Sequence, residues 1–222
     1  YDDLQSVFDG IFGTSASVTP GPIDEHYEVF TLQAKWKLEN LSVGYFTWHN
    51  FDAGVGVGVA QALDPKGKSQ SYAEQLNLEY DLSNYTKGEL KAALNYKSQN
   101  SRNYLNVFPA GTVLPIGSDG NVNFSSPEGF TLFEDGFIGT PSPSGESLTF
   151  RLTSLFHLSK PHFIRWELGY EEQHFKTHER KNFGPSVIDG SESIVNGTLT
   201  DVTGTPFIYL RNIERNFYYI SV

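Results

Sequence analysis

His174 and His178 stand four residues apart, with Glu171, Glu172 and Glu179 close by. On a helix that spacing would put two imidazoles on one face, where they could share a metal ion. The surrounding alternation reads instead as a strand running into a loop, and there the same spacing separates the side chains by about 13 Å. An ordinary polar rim is the expectation. Asp2, Asp3 and Asp9 could hold calcium in a loop, but they lack the EF-hand order of ligands. The carboxyl pairs Glu171-Glu172 and Glu134-Asp135 are of the type glycosidases use, although sequence alone sets no separation between the groups. No Ser occupies a G-x-S-x-G elbow. The Gly-Val-Gly-Val-Gly run at 54–58 has neither phosphate-loop spacing nor a βαβ context. Asn40, Asn84, Asn123 and Asn196 match the glycosylation pattern, two of them in what read as short turns. No catalytic, cofactor-binding or metal residue is assigned, and the chain is not expected to be an enzyme. The aromatics Phe108, Phe124, Phe130, Phe133, Phe137 and Tyr209 either pack long loops on themselves or face a ligand from outside.

The elements that carry these residues are strands. The 222 residues are 38% hydrophobic yet 14% aromatic, with 21 Gly, which suits sheets and large loops better than a helical core. A formal net charge of −10 argues against nucleic acid as a partner. There is no Cys, so neither a disulfide framework nor a thiolate site is available. No run of eighteen apolar residues exists for a transmembrane helix, and no signal peptide opens the chain.

Period-2 alternation is clearest over 144–184. Leu148, Phe150, Leu152, Ser154, Phe156 and Leu158 share a face. After a link at 159–162, Ile164, Trp166, Leu168 and Tyr170 share one on the return arm. Their alternates include Arg151, His157, Arg165, Glu167, Glu171 and Gln173, so the pattern predicts a long hairpin with one apolar and one charged face. The same grammar predicts strands over 26–38, 41–49, 72–82, 89–98 and 216–222. In the second of these the polar side is mixed, carrying Phe46 and Trp48. Residues 1–25 read as loop, with a helical turn that sets Leu4, Val7, Phe8 and Ile11 on one side, or as a segment packing its aromatics on neighbours.

Short turns at 39–40, 83–88 and 159–162 alternate with long connections at 50–71, 98–146 and 177–212. In an antiparallel meander all short turns then fall at one rim and all long connections at the other, as in an outer-membrane barrel. The connection 98–146 is too long to be a simple link and is expected to be functional or folded. Trp36, Tyr80 and Trp166 belong to the apolar faces and suit interfacial belts. Lys35, Lys37, Glu79, Asp81, Glu89, Lys91, Arg151, Arg165 and Glu167 would line a channel or receive a plug. The apolar set, including Leu76, Leu78, Leu90, Ala92 and Leu94, is expected on the convex side. Seven strands make a partial wall, so the fold class is all-β: an antiparallel transmembrane β-barrel, one domain over 1–222 of something longer.

The run Arg211–Val222 resembles the strand openings of TonB-dependent outer-membrane receptors, where an aromatic-rich "YxxYxQDEW"-like segment follows a long extracellular loop. Tyr27–Leu38 is similar, with Gln33 and Trp36 at the usual Gln and Trp places. The resemblance implies a 22-stranded barrel closed by an N-terminal plug, importing iron-siderophores, cobalamin or other scarce ligands with energy from the inner-membrane TonB complex. Partners implied are a small-molecule ligand at the extracellular loops and outer-membrane lipid, with plug and TonB contacts made by parts outside these residues. No TonB box, plug-like stretch or terminal strand ending in Phe occurs here. A passive porin and a soluble β-sandwich that binds glycan are the alternatives.

Overall fold

The computed structural model describes residues 3–85, 88–159, 162–205 and 212–222. Alternating apolar and polar residues give long antiparallel strands: β1 (Tyr27–Leu38), β2 (Leu41–Gly54), β3 (Lys68–Asp81) and β4 (Glu89–Phe108). Short strands follow at β5 (Thr112–Ile116), β6 (Gly129–Phe133) and β7 (Phe137–Gly139). The chain then returns to long strands in β8 (Ser142–Ser159) and β9 (His162–His178). The pairs of residues β10 (Arg180–Lys181), β11 (Ile194–Val195) and β12 (Thr200–Asp201) precede the last long strand, β13 (Asn212–Ser221). Helix α1 (Leu4–Phe12) opens the described chain, capped by Asp3, whose carboxylate accepts from the Ser6 N–H.

The seven long strands form one wall in the order β1-β2-β3-β4-β8-β9-β13, antiparallel throughout. Leu38 pairs with Leu41, Asp81 with Lys91 and Ser159 with His162, so the short connections share one rim and the long ones the other. Glu39 turns the first hairpin at φ 49°. Thr86, Lys87, Lys160 and Pro161, from the other two turns, lie outside the described residues.

Pairing also fixes a slant. One row perpendicular to the strands runs Trp36–Val43–Leu78–Leu94–Phe150–Tyr170–Tyr218. Trp36 is two residues from the rim end of β1, whereas Phe150 is nine from that of β8. A slip of about seven residues over four strand intervals, at ~3.3 Å per residue and ~4.8 Å per strand, leans the strands by roughly 45–50°.

The dry core does not lie on this wall. Phe8, Ala62, Phe108, Leu114, Ile116, Phe133, Phe137 and Ile188 pack together where α1 and the long connections meet. Around them β5, β6 and β11 form a small sheet, while β7 extends the wall upward by pairing with β4 and β10. We call this unit the cap. Buried side chains stitch it across long separations. Asp64 accepts from the N–H groups of Gly67 (2.7 Å) and Asn106 (2.8 Å), Thr112 donates to Gln5, and Asn182 bonds Ile138, Gly136 and Asn196.

Three expectations are corrected. β4 runs ten residues beyond Ser98, because 99–104 stay paired with β3 and Leu105 to Phe108 pair with β7, although their sequence no longer alternates cleanly. The connection 98–146 is consequently folded for most of its length. β13 begins at Asn212 rather than 216, paired with Lys176. In α1, Phe8 faces the core beside Gln5, while Leu4, Val7 and Ile11 are exposed. Gln5 is buried there because Thr112 and Asp9 satisfy its amide.

Candidate functional site

Because paired residues in an antiparallel sheet share a face, register sorts every wall side chain. Leu76, Leu78, Tyr80, Leu90, Ala92, Leu94, Phe150, Leu152, Ile164, Trp166 and Leu168 lie on one side, as the alternation predicts. That side is uncovered: Phe150 is 43% exposed, Trp36 60% and Tyr218 79%. Its upper edge is marked by tyrosines. Tyr45 donates to Glu74 at 2.8 Å, and Tyr170 donates to Asn216 at 2.9 Å with its ring tilted against that of Tyr218. Each ring thus lies among apolar residues while its hydroxyl reaches a polar row nearer the cap.

The opposite face carries Lys35, Lys37, Glu79, Asp81, Lys91, Arg151, Arg165 and Glu167 together. This face holds the wall's hollows, and we call it the concave face. Toward the turn rim its charges are of both signs, with Arg165 and Glu167 at 3.7 Å. Nearer the cap two adjoining hollows of about 280 and 310 Å³ share Ala73, Gln99 and Phe175. Phe46 and Trp48 from β2 border them on one side and Phe175 from β9 on the other. The β2 aromatics that made its polar side look mixed are thus lining residues of this groove.

A glycine shapes the floor. Gly145 faces the groove beneath Phe175, and a Cβ there would sit 3.0 Å from the ring. The bare backbone at 145 lets the aromatic lie flat on the wall. Across β4 and β8, Lys97, Gln99 and Ser147 make no side-chain hydrogen bond with another described residue, and Lys97 pairs directly with Ser147 in the sheet. Glu74 and Glu146 border the groove, but register turns their side chains to the outer face.

The residues with possible chemistry are dispersed. His174 meets Glu172 at 2.7 Å and Glu214 at 3.7 Å, whereas His178 meets Asp201 at 3.5 Å, so the two imidazoles have separate partners. Asp3 is spent on the N–H of Leu63 and on α1. For Asp9, burial would push the carboxyl up, but bonds from Thr14, Ser17 and Gln5 hold it below its usual range. Both are structural acceptors; Asp2 lies outside the described residues. Glu171 and Glu172 point to opposite faces of β9, and Asp135 accepts from the Gly197 N–H. Among the described residues, no three His, Cys, Asp or Glu side chains converge on a metal position. Of the loop aromatics, Phe108, Phe133 and Phe137 are buried in the cap core, while Phe124 and Phe130 are exposed on its surface. Tyr209 lies outside the described residues.

No family model matches the chain, and neither a curated protein nor a solved structure matches it.

Proposed function

We propose that this chain is a stretch of wall and external loops from an outer-membrane β-barrel, and that the barrel is a receptor importing a scarce ligand actively. The observation that carries the reading is the uncovered apolar face, closed toward the cap by tyrosines whose hydroxyls reach polar partners. A soluble sandwich would dry such a face against a second sheet. Lipid accepts it, and amphipathic rings belong at its boundary. The slant lies at the steep end of the roughly 35–45° tilt of membrane barrels. In β8 the outward apolar positions run from Leu148 to Leu158, which at ~3.3 Å per residue and a roughly 45° tilt covers about 23 Å, close to the roughly 25 Å height of a barrel's lipid belt.

The receptor part of the reading rests on the cap and on the resemblance of Tyr27–Leu38 and Arg211–Val222 to TonB-dependent receptors. A cap with its own dry core is a pre-ordered surface at the outer rim, and rigid loops on a rigid wall are a common way to build a binding site. The test uses cells expressing the full-length protein. It should fractionate with outer membranes, and uptake of its cognate ligand should stop when the inner-membrane energy-coupling complex is deleted. Recovery in the soluble fraction would refute the barrel. Uptake that persists without the complex would favour a passive porin.

A further inference from the structure

At the level of the groove, charge is sorted across the wall. The outward row Leu32–Thr47–Glu74–Ser98–Glu146–His174–Glu214 carries three carboxylates. Two inward rows flank it: Thr31 to Ile213 and Gln33 to Arg215. Among their described residues the charged side chains are Lys97 and Arg215, and neither makes an ion pair. In a chain of net charge −10, two rows that hold cations, with the neighbouring carboxylate of Glu171 one row away and accepting from Gln173, run against composition.

We propose that this groove binds an organic anion: a carboxylate or similar oxyanion on a flat apolar body. Lys97 supplies the charge. Gln99 and Ser147 are donors on either side of it within one or two sheet positions, and none of the three bonds a side chain to another described residue. Phe175, lying over Gly145, offers a ring face to the apolar part. Inside a walled lumen such an ion pair is less screened than one on open surface. Closer to the turn rim, Glu79, Glu167 and Glu171 share the concave face with the cations, so an anion is favoured in the groove and not along the whole wall.

The proposal rests on the barrel reading in that it takes the concave face as a lumen. The probes are benzoate and benzamide, which share a ring and differ in charge, titrated by saturation-transfer NMR against the detergent-solubilised full-length protein. Benzoate should bind about tenfold more tightly. Lys97→Gln should erase the preference and Lys97→Arg should retain it. Lys91→Gln, on the same face but outside the groove, should leave it unchanged. Equal affinities, no binding of either probe, a preference that survives Lys97→Gln, or its loss in Lys97→Arg would each overturn the proposal. Fractionation of the same cells reports separately on the barrel.

Discussion

The ring of Tyr219 lies over Gly169 on the concave face, in the space that a side chain at 169 would need. Gly145 and Phe175 repeat the arrangement one strand pair away. In both cases an aromatic on one strand covers a glycine on its neighbour, which lets a strongly tilted wall carry large rings without forcing strands apart. Gly169→Ala should therefore displace Tyr219 and destabilise the wall by about 1–3 kcal/mol. The double variant with Tyr219→Ala should lose less than the two single losses combined. Urea titrations of the purified full-length protein would measure the cycle; strict additivity would deny the coupling.

The cap is expected to fail separately from the wall. Asp64 holds the backbone of Lys66, Gly67 and Asn106 with a nearly inaccessible carboxylate. Asp64→Ala orphans those donors and should cost about 2–4 kcal/mol. Limited proteolysis should then cut at 55–67 and 109–136 while the wall fragments stay protected. Excising 110–143 is a harsher change than trimming a loop tip, since Leu114, Ile116, Phe133 and Phe137 leave with it. Loss of ligand affinity in such a deletion is expected alongside collapse of the cap. Phe124→Ser and Phe130→Ser are the gentler probes of capture, because both rings are exposed.

At the rim of the long connections, His26 bonds Asp24 at 2.5 Å and approaches Asp52 at 3.4 Å. The hydrogen bond to Asp24 and then that to Asp52 raise its pKa above the usual value. A raised folded pKa means that the pairing contributes fully below the unfolded pKa, near 6.5, and fades as pH rises through the folded one. Hydrogen exchange at 22–28 should accordingly quicken on going from pH 5.5 to 8 by more than the intrinsic rate change. His26→Gln should flatten that excess. An NMR titration midpoint for His26 at or below 6.5 would contradict the assignment.

Much of the wall is legible in sequence because a sheet with one apolar side writes its period into the chain. Leu148 to Leu158 and Ile164 to Tyr170 carry it almost unbroken. β2 was harder, since Phe46 and Trp48 line the groove and interrupt the polar side. The cap left little local trace. Its strands are five, three or two residues long, and its bonds join partners such as Asp64 with Asn106 or Asn182 with Ile138. Such non-local bonds leave no periodicity. The groove was equally hidden: Lys97 looks like any alternating lysine until register places it in a row without carboxylates.

Phe150 and Arg151 are neighbours in β8 that register sends to opposite faces, so the pair reports whether the apolar side meets lipid. Because this chain has no Cys, Phe150→Cys and Arg151→Cys can be placed singly in the full-length protein, freed of any other cysteine. Each variant is labelled with an environment-sensitive fluorophore in vesicles containing bromolipid. A lipid-facing apolar side gives strong lipid quenching at 150 with little at 151, and the reverse order for a water-soluble quencher admitted to the lumen. Equal quenching at both positions, or protection of 150 from lipid and water alike, would mean that the apolar face is covered by protein and that the wall does not stand in a membrane.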